Sequence, residues 1–316
     1  MEEQEIDPNT QKQVDFIKQL IALAGISLLA SVLGFLIISP LTGLFGMSNF
    51  DLALKEIQAG KFPELLNPIR ILFIIMHGCT FIVPALAFVV FYWRKQIAKT
   101  LYLAKLPALK TFAWALLFVV VALPVVNVLY YLNTLIPDAW QSQEAGTLQK
   151  MLLRMETPVD FALNLILIGV MAAVGEELLF RGVIQRIFAV RYQNMHLAIW
   201  GAAIAFSLVH FELQAFVPRL VLGGMFGYVF WWSSNLWIPI TLHFLYNGVQ
   251  VLAVYQNPEL VETASPSLDV WLLVTAAGGA IFILPIAKYL HRKSLETKTQ
   301  LSDNQYLENP SKIFKK

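Results

Sequence analysis

Charged residues are scarce in this chain. Lys, Arg, Asp and Glu make up 14% of its 316 residues, whereas hydrophobic residues make up 57%. Soluble domains usually carry about 25% charged residues. The formal net charge is only +2 and no basic face stands out, so the sequence gives no support for nucleic-acid binding. This composition argues against a soluble protein and predicts a polytopic membrane protein whose surroundings are the lipid bilayer.

Cysteine is almost absent as well. The lone Cys79 lies within an apolar run and has no partner for an intramolecular disulfide. We therefore interpret it as a small packed side chain rather than a nucleophile. On a helix, His77 and Cys79 diverge by about 200°, so they form no dyad. The zinc motif His-Glu-x-x-His is also missing from the sequence.

Long apolar runs, in contrast, are abundant. Eight of them are long enough, or nearly so, to cross a bilayer. They are residues 20–39, 71–93, 112–134, 161–183, 197–211, 218–232, 238–256 and 268–290. The fifth and sixth are short, and either is a candidate for a partly embedded helix that lines a cavity. We predict an all-α membrane helix bundle with about eight transmembrane helices.

The basic residues predict how this bundle is oriented. In the eight-helix arrangement, one side of the membrane holds only six of the 23 Lys and Arg residues. These six are Lys55, Lys61, Arg70, Lys150, Arg154 and Arg219. The positive-inside rule places the other side, and with it both termini, in the cytoplasm. The acidic amino end argues against a cleaved signal peptide. We expect a multi-pass protein of a prokaryotic plasma membrane.

Five segments follow from this arrangement. They are a cytoplasmic amino-terminal segment (1–19), amino-terminal membrane helices and loops (20–158), a candidate catalytic core (159–256), a last membrane helix (257–290) and a charged cytoplasmic tail (291–316). The tail is predicted to be disordered. The loop at 40–70 is expected to hold a short surface helix near residues 51–58, and a second polar outer loop is predicted at 137–160.

Two carboxylates and an arginine interrupt the fourth apolar run. Glu176, Glu177 and Arg181 lie within six residues of one another. Ionisable groups in a membrane segment cost at least a few kcal/mol each unless they face a bundle interior or a wet cavity. Glu177 and Arg181 are four apart, which favours an intrahelical ion pair. Glu176 then has no helical partner and is suited to act as a general base and later as an acid.

Further polar groups lie in neighbouring runs. His210 ends the fifth run, while His243 and Asn247 lie four apart on one face of the seventh. The rise of about 1.5 Å per residue allows Glu176, His210 and His243 to line one cavity open to the cytoplasm. A histidine beside Glu176 can share an activated water. His243 and Asn247 can donate hydrogen bonds to an oxyanion.

Structural interpretations compete with this one. A single intramembrane His or Asn often only joins helices, and the Glu-Glu-Arg group alone also fits an ion network or the proton site of a transporter. Polar groups from three helices at compatible depths favour a water-activating site. No internal repeat indicates the inverted halves of a transporter. Gly223 and Gly227 predict close helix packing in the sixth run.

Three motifs, taken in order over about residues 160–255, carry a family resemblance. They are Glu176-Glu177-x-x-x-Arg181, Phe206-x-x-x-His210 and His243-x-x-x-Asn247. The ordered trio resembles the CAAX protease and bacteriocin-processing family, also called the abortive-infection family, whose eukaryotic members are the type II CAAX prenyl endopeptidases. The resemblance implies an intramembrane endopeptidase in which Glu176 and His210 activate water. It assigns the oxyanion to His243 and Asn247, with Glu177, Arg181 and Phe206 in support.

The resemblance also bears on substrate and mechanism. It implies a membrane-tethered peptide or protein as the substrate, prenylated in only part of the family. The family is often labelled metalloprotease, and Glu176, His210 and His243 can instead hold zinc. We favour the metal-independent mechanism, since no helix carries a paired His spacing. The alternative function is a non-catalytic membrane protein, such as a bacteriocin immunity factor or a scaffold.

Overall fold

The computed structural model describes residues 8–59, 61–135, 143–213, 215–263 and 268–303, and these ranges contain helices and no strand. The helices are α1 (Pro8–Leu44), α2 (Phe50–Gln58), α3 (Pro63–Tyr92), α4 (Leu109–Thr134), α5 (Gln143–Leu153), α6 (Pro158–Tyr192), α7 (Met195–Leu208), α8 (Phe216–Ser233), α9 (Trp237–Gln256) and α10 (Val270–Asp303). Short helical turns also occur at Ile97–Thr100 and Leu260–Thr263.

Each of the eight predicted apolar runs coincides with one of these helices. Six helices, namely α1, α3, α4, α6, α9 and α10, are long and apolar enough to cross a membrane. The prediction of an all-α polytopic membrane bundle is therefore confirmed. The number of crossings stays a prediction, because α7 has only 14 residues and α8 has 18. The side on which the termini lie also stays a prediction.

Several helix ends differ from the sequence prediction. Helix α10 continues to Asp303, so the prediction of a disordered tail from residue 291 is wrong as far as residue 303. Lys293 and Arg292 pair with Glu296 at helical spacing, 2.6 and 3.8 Å apart, which favours continuation of the helix beyond its apolar part. Helix α1 begins at Pro8 instead of near residue 20. The predicted segments at 1–7, 136–142 and 304–316 lie outside the described residues.

Both loops that the sequence predicts to be outer loops contain a helix. The one predicted near 51–58 is α2, whose amino end is capped by Asn49, since the Asn49 side chain accepts a hydrogen bond from the Leu52 N–H at 2.7 Å. Ala53 and Ile57 lie four apart on its buried face and pack against α3. The second predicted loop, at 137–160, contains α5, for which the sequence analysis predicts no helix.

Helix α6 lies at the centre of the bundle and contacts α1, α3, α7 and α9. It contains two π-helical stretches, Leu165–Met171 and Glu177–Ile184. Every residue from Gly175 to Val183 is buried, so neighbours cover α6 on all sides there. A π-helical turn places side chains differently from an α-helical turn and frequently marks a functional site.

Two apolar clusters surround this central helix. One joins α1, α3 and α6 to α7, and the other joins α4 and α10 to α8 and α9. The close packing predicted for α8 is present, because Gly223 lies against Ala203 and Phe206, and Gly227 lies against Ile199. Cys79 packs against Gly34 of α1, which agrees with its interpretation as a packing residue.

A buried ion pair fixes the start of α6. Arg70 of α3 is fully buried and lies 2.9 Å from Asp160. The Arg70 guanidinium also donates hydrogen bonds to the main-chain oxygens of Leu152 and Arg154. Asp160 and Thr157 form a capping box at the first turn of α6. From the sequence alone, Arg70 is only one of the basic residues of a loop. In the structure, its ion pair with Asp160 joins α3 to α6.

Candidate functional site

The predicted site residues come from the middle of α6, the turn after α7 and the first half of α9. Helix α7 ends at Leu208, so His210 lies in the turn that follows and not at the helix end predicted from the sequence. Glu176, Glu177 and His243 are buried, with 6%, 0% and 5% of their surfaces exposed. The His210 side chain is more open, at 27%. Glu176, Glu177 and His243 are therefore enclosed, whereas His210 is partly open and Asn247 is half-buried.

Glu176 lies between the two histidines. Its Oε1 is 3.8 Å from Nε2 of His210, and its Oε2 is 3.8 Å from Nε2 of His243. Both distances exceed those of direct hydrogen bonds. Polar groups at such separations are commonly bridged by water. The structure thus brings together the three groups that the sequence assigned to one cavity.

The other nitrogen of each imidazole is held by an acceptor. Nδ1 of His210 lies 2.8 Å from the main-chain oxygen of Phe206, and Nδ1 of His243 lies 2.9 Å from Oε1 of Glu177. Because a carbonyl or carboxylate oxygen can only accept, these contacts favour the neutral tautomer with its proton on Nδ1. The lone pair on each Nε2 then faces Glu176.

Glu177 joins three helices. Its Oε1 accepts hydrogen bonds from Arg181 at 2.8 Å and from His243, which confirms the predicted intrahelical ion pair. Arg181 also donates to the main-chain oxygen of Gly223 in α8 at 2.9 Å. Among the described residues, Oε2 of Glu177 is buried without a hydrogen-bond partner. The ion pair therefore links α6 to α8 and α9.

Two phenylalanines pack around these charged groups. The Arg181 guanidinium lies over the ring of Phe206, 4.8 Å from its centroid. The same ring contacts His210 edge-on, with centroids 5.1 Å apart. Phe226 stacks on His243, with centroids 5.3 Å apart. The motif residue Phe206 thus supports both the arginine and a histidine.

Asn247 is held by the central helix. Its side-chain amide donates to the main-chain oxygen of Ile168 at 2.8 Å, in the first π-helical stretch of α6. An amide has two N–H donors, so one is engaged in this contact. Asn247 shares the face of α9 that carries His243, but its hydrogen bond joins it to the α6 backbone.

The donor types fit zinc in principle, since His and carboxylate are common zinc ligands. The arrangement of these side chains does not fit a zinc ion. Within the described part of the chain, no group of three or more His, Cys, Asp or Glu side chains converges closely enough to hold a metal ion. We therefore assign no chemical step to a metal.

Two polar residues near the site were missed by sequence reasoning. His77 of α3 stacks on Phe81, and its Nε2 would lie 3.2 Å from a Cβ placed on Gly175. Arg219 of α8 interacts electrostatically with Glu176 and His210. From the sequence alone, His77 is considered only as a partner for Cys79, and Arg219 only as one of the basic residues that predict orientation. The usable signal was that both lie within or beside an apolar run.

Comparison with known proteins gives one family and one curated relative. Residues 158–249, from the start of α6 into α9, match the model of the type II CAAX prenyl endopeptidase Rce1-like family. An uncharacterized protein, YpbD of Bacillus subtilis (strain 168), is 29% identical over 90 residues, which cover 27% of this chain and 43% of YpbD. The chain thus matches less than half the length of that relative. No solved structure matches.

The matched segment contains all the predicted site residues, from Glu176 to Asn247. The family match and the three ordered motifs therefore agree with each other. Helices α1 to α5 and α10 lie outside the match. Residues 158–249 of this membrane protein belong to the type II CAAX prenyl endopeptidase Rce1-like family.

Proposed function

We propose that this protein is an intramembrane endopeptidase that cleaves a membrane-associated peptide or protein with water activated by Glu176. The observation that carries the proposal is the position of the Glu176 carboxylate, 3.8 Å from Nε2 of both His210 and His243. A buried carboxylate that lies between two imidazoles, at separations that a water molecule commonly bridges, has the parts of a general acid–base site. The family of residues 158–249 supports the same reaction class.

In the proposed reaction, Glu176 and His210 hold the attacking water. Glu176 accepts one proton from this water while the water oxygen bonds to the carbon of the scissile carbonyl. Glu176 then delivers the proton to the amide nitrogen as the C–N bond breaks. The products are a new carboxyl group and a new amine, so protons and electrons balance without a redox partner.

His243 and Asn247 are proposed to stabilise the oxyanion. The Nδ1–H of His243 is directed at Glu177, so its Nε2 can donate to an oxyanion only when the ring is protonated. The Glu177 carboxylate stabilises that imidazolium, as a buried acid does in other catalytic triads. Asn247 retains a second N–H beyond the one bound to Ile168.

The proposed substrate is tethered in the bilayer, with or without a lipid group. Such a tether holds a peptide bond at membrane depth and raises its local concentration at the site.

The main test replaces Glu176 with Gln. We expect Glu176→Gln to lower cleavage of membrane-tethered peptides by about 10²- to 10⁴-fold, the usual contribution of a general acid–base group. The measurement is mass spectrometry of products from purified protein in lipid vesicles. Glu64→Gln is the matched control, because Glu64 is exposed. Wild-type cleavage rates in a folded Glu176→Gln protein would refute the mechanism.

A non-catalytic scaffold is the second candidate function. One observation favours it, because the contacts of Glu177, Arg181 and Asn247 also join three helices. His210→Ala separates the two candidates, since the His210 ring makes its hydrogen bond to the main-chain oxygen of Phe206, only four residues earlier in the chain. Full biological activity without any hydrolysis in this variant would favour the scaffold, whereas parallel loss of both favours the protease.

Zinc is tested on the same preparations. We expect cleavage to persist after chelation, with less than one bound metal ion per chain by elemental analysis. Loss of cleavage on chelation, followed by recovery when zinc is added, would overturn the metal-independent mechanism in favour of a site formed by Glu176, His210 and His243.

A further inference from the structure

Arg219 has an unused hydrogen-bond donor beside the candidate site. It lies in the first turn of α8, and its Nη2 is 2.7 Å from Oε2 of Glu212. Its Nη1 is buried and has no hydrogen-bond partner among the described residues. The side chain as a whole is 18% exposed. One edge of the guanidinium is therefore paired and another is not.

The surroundings of Arg219 connect it with the reaction centre. It interacts electrostatically with Glu176 of α6 and with His210 in the turn after α7. It interacts in the same way with Tyr130 of α4 and Tyr246 of α9. The Ser207 hydroxyl of α7 donates a hydrogen bond to the main-chain oxygen of Phe216 at 2.7 Å, which places the first turn of α8, with Arg219, next to the turn that carries His210. A molecule that reaches Glu176 past His210 therefore passes close to Arg219.

Two buried arginines, Arg181 and Arg70, differ from Arg219, whose side chain is 18% exposed. Arg181 donates from Nη1 to Glu177 and from Nη2 to Gly223. Arg70 donates from Nε, Nη1 and Nη2. Both therefore have acceptors for their terminal nitrogens, as buried charged groups normally do. A buried donor without an acceptor destabilises a protein, and more so when it is charged.

We propose that Nη1 of Arg219 binds an acceptor oxygen of the substrate close to the scissile bond. The oxygen belongs either to a terminal carboxylate or to a main-chain carbonyl, since a guanidinium donates to both. Arg219 would then position the substrate and is distinct from the residues that activate water. This inference rests on the proposed function and extends it to a substrate-binding residue.

Binding is measured without turnover. The Glu176→Gln variant, with and without Arg219→Gln, is titrated in detergent with fluorescent N-palmitoyl-penta-alanine, prepared as the free acid and as the amide. We expect Arg219→Gln to weaken binding by about tenfold to a hundredfold, the value of one charge-assisted hydrogen bond. If Arg219→Gln weakens binding of the free-acid peptide only, the group bound by Arg219 is the terminal carboxylate. If it weakens binding of both peptides equally, that group is a main-chain carbonyl.

Glu212→Gln is the control for a purely structural role. It removes the 2.7 Å ion pair but leaves the guanidinium in place. We expect it to change binding by less than threefold. The inference is overturned if Arg219→Gln leaves the affinity unchanged, or if the Glu176→Gln protein without a second substitution binds neither peptide. It is also overturned if Arg219→Gln and Glu212→Gln weaken binding equally and lower the unfolding temperature equally.

Kinetics distinguish this inference from the proposed function. In the wild-type background, Arg219→Gln should raise KM more than it lowers kcat, because its role is binding. If the wild-type protein cleaves and Arg219→Gln leaves both constants unchanged, only the Arg219 inference fails. If the wild-type protein cleaves nothing yet binds peptide through Arg219, only the proposed function fails.

Discussion

At the scale of single residues, the two adjacent glutamates have different surroundings. Glu177 is fully buried and accepts hydrogen bonds from Arg181 and His243 through one oxygen. Glu176 makes no contact as short with either histidine. Glu177 therefore has a structural role, because its hydrogen bonds join the helices. Glu176 remains available for the proposed reaction.

This difference predicts that a Glu-to-Gln substitution changes stability much more at position 177 than at position 176. Glu177→Gln removes the counter-charge of buried Arg181, and breaking such a pair from one side costs about 3 to 5 kcal/mol. We expect a clear fall in the free energy of unfolding, measured by thermal unfolding in detergent. Glu176→Gln should change stability little, since it breaks no ion pair of that kind. Equal unfolding temperatures for the two variants would contradict the division of roles.

The residue-scale contacts were only partly predictable. The spacing of Glu177 and Arg181 was enough to predict their ion pair, because both lie on one helix. The contacts from His243 to Glu177 and from Asn247 to Ile168 join separate helices, and their partners depend on how α9 packs against α6. Residue spacing within one apolar run cannot predict contacts between separate helices.

At the scale of elements, the packing of α4 against α10 depends on a single glycine. A Cβ added to Gly279 of α10 would collide with the main-chain oxygen of Val121 in α4, whereas one added to Gly278 would meet nothing within 4 Å. A main-chain atom cannot rotate away as a side chain can. The two helices approach each other closely only because residue 279 has no side chain.

Neighbouring glycines therefore give a matched pair of substitutions. We expect Gly279→Ala to destabilise the protein by about 1 to 3 kcal/mol through overpacking, and Gly278→Ala to have little effect. Thermal unfolding in detergent measures both. Similar unfolding temperatures for the two variants would mean that α4 and α10 do not pack as described.

Hydropathy was sufficient to find the eight helices of the apolar runs but not their ends. Each apolar run marks a helix because apolar residues must face lipid or a neighbour. The ends depend on local contacts that hydropathy ignores, such as the Lys293–Glu296 pair in α10 and the turn that places His210 beyond α7. The π-helical stretches of α6 also left no recognisable pattern in the sequence.

At the scale of the whole molecule, orientation in the membrane is the main prediction to test. Lys61 and Lys99 are both exposed and lie on opposite sides in the predicted arrangement. In a Cys79→Ala background, we expect Lys61→Cys to react with a membrane-impermeant thiol reagent on intact cells, and Lys99→Cys only after permeabilisation. The reverse pattern would place the termini outside.

The family-matched segment is only part of the molecule. Helices α6 to α9 supply the motif residues, while His77 comes from α3, outside the match. Sequence motifs could identify the motif residues of α6 to α9. They could not show that α3 packs against Gly175, the residue before Glu176. Contacts between matched and unmatched helices appear only in the assembled bundle.

If α7 crosses the bilayer, as the sequence predicts, its shortness affects the surrounding lipid. Fourteen helical residues extend about 21 Å, whereas the hydrocarbon layer is about 30 Å thick. Such a mismatch is met by local thinning of the bilayer. Lipid headgroups and water would then approach the turn that carries His210. Membranes built from longer acyl chains resist this deformation and should slow any reaction that depends on it.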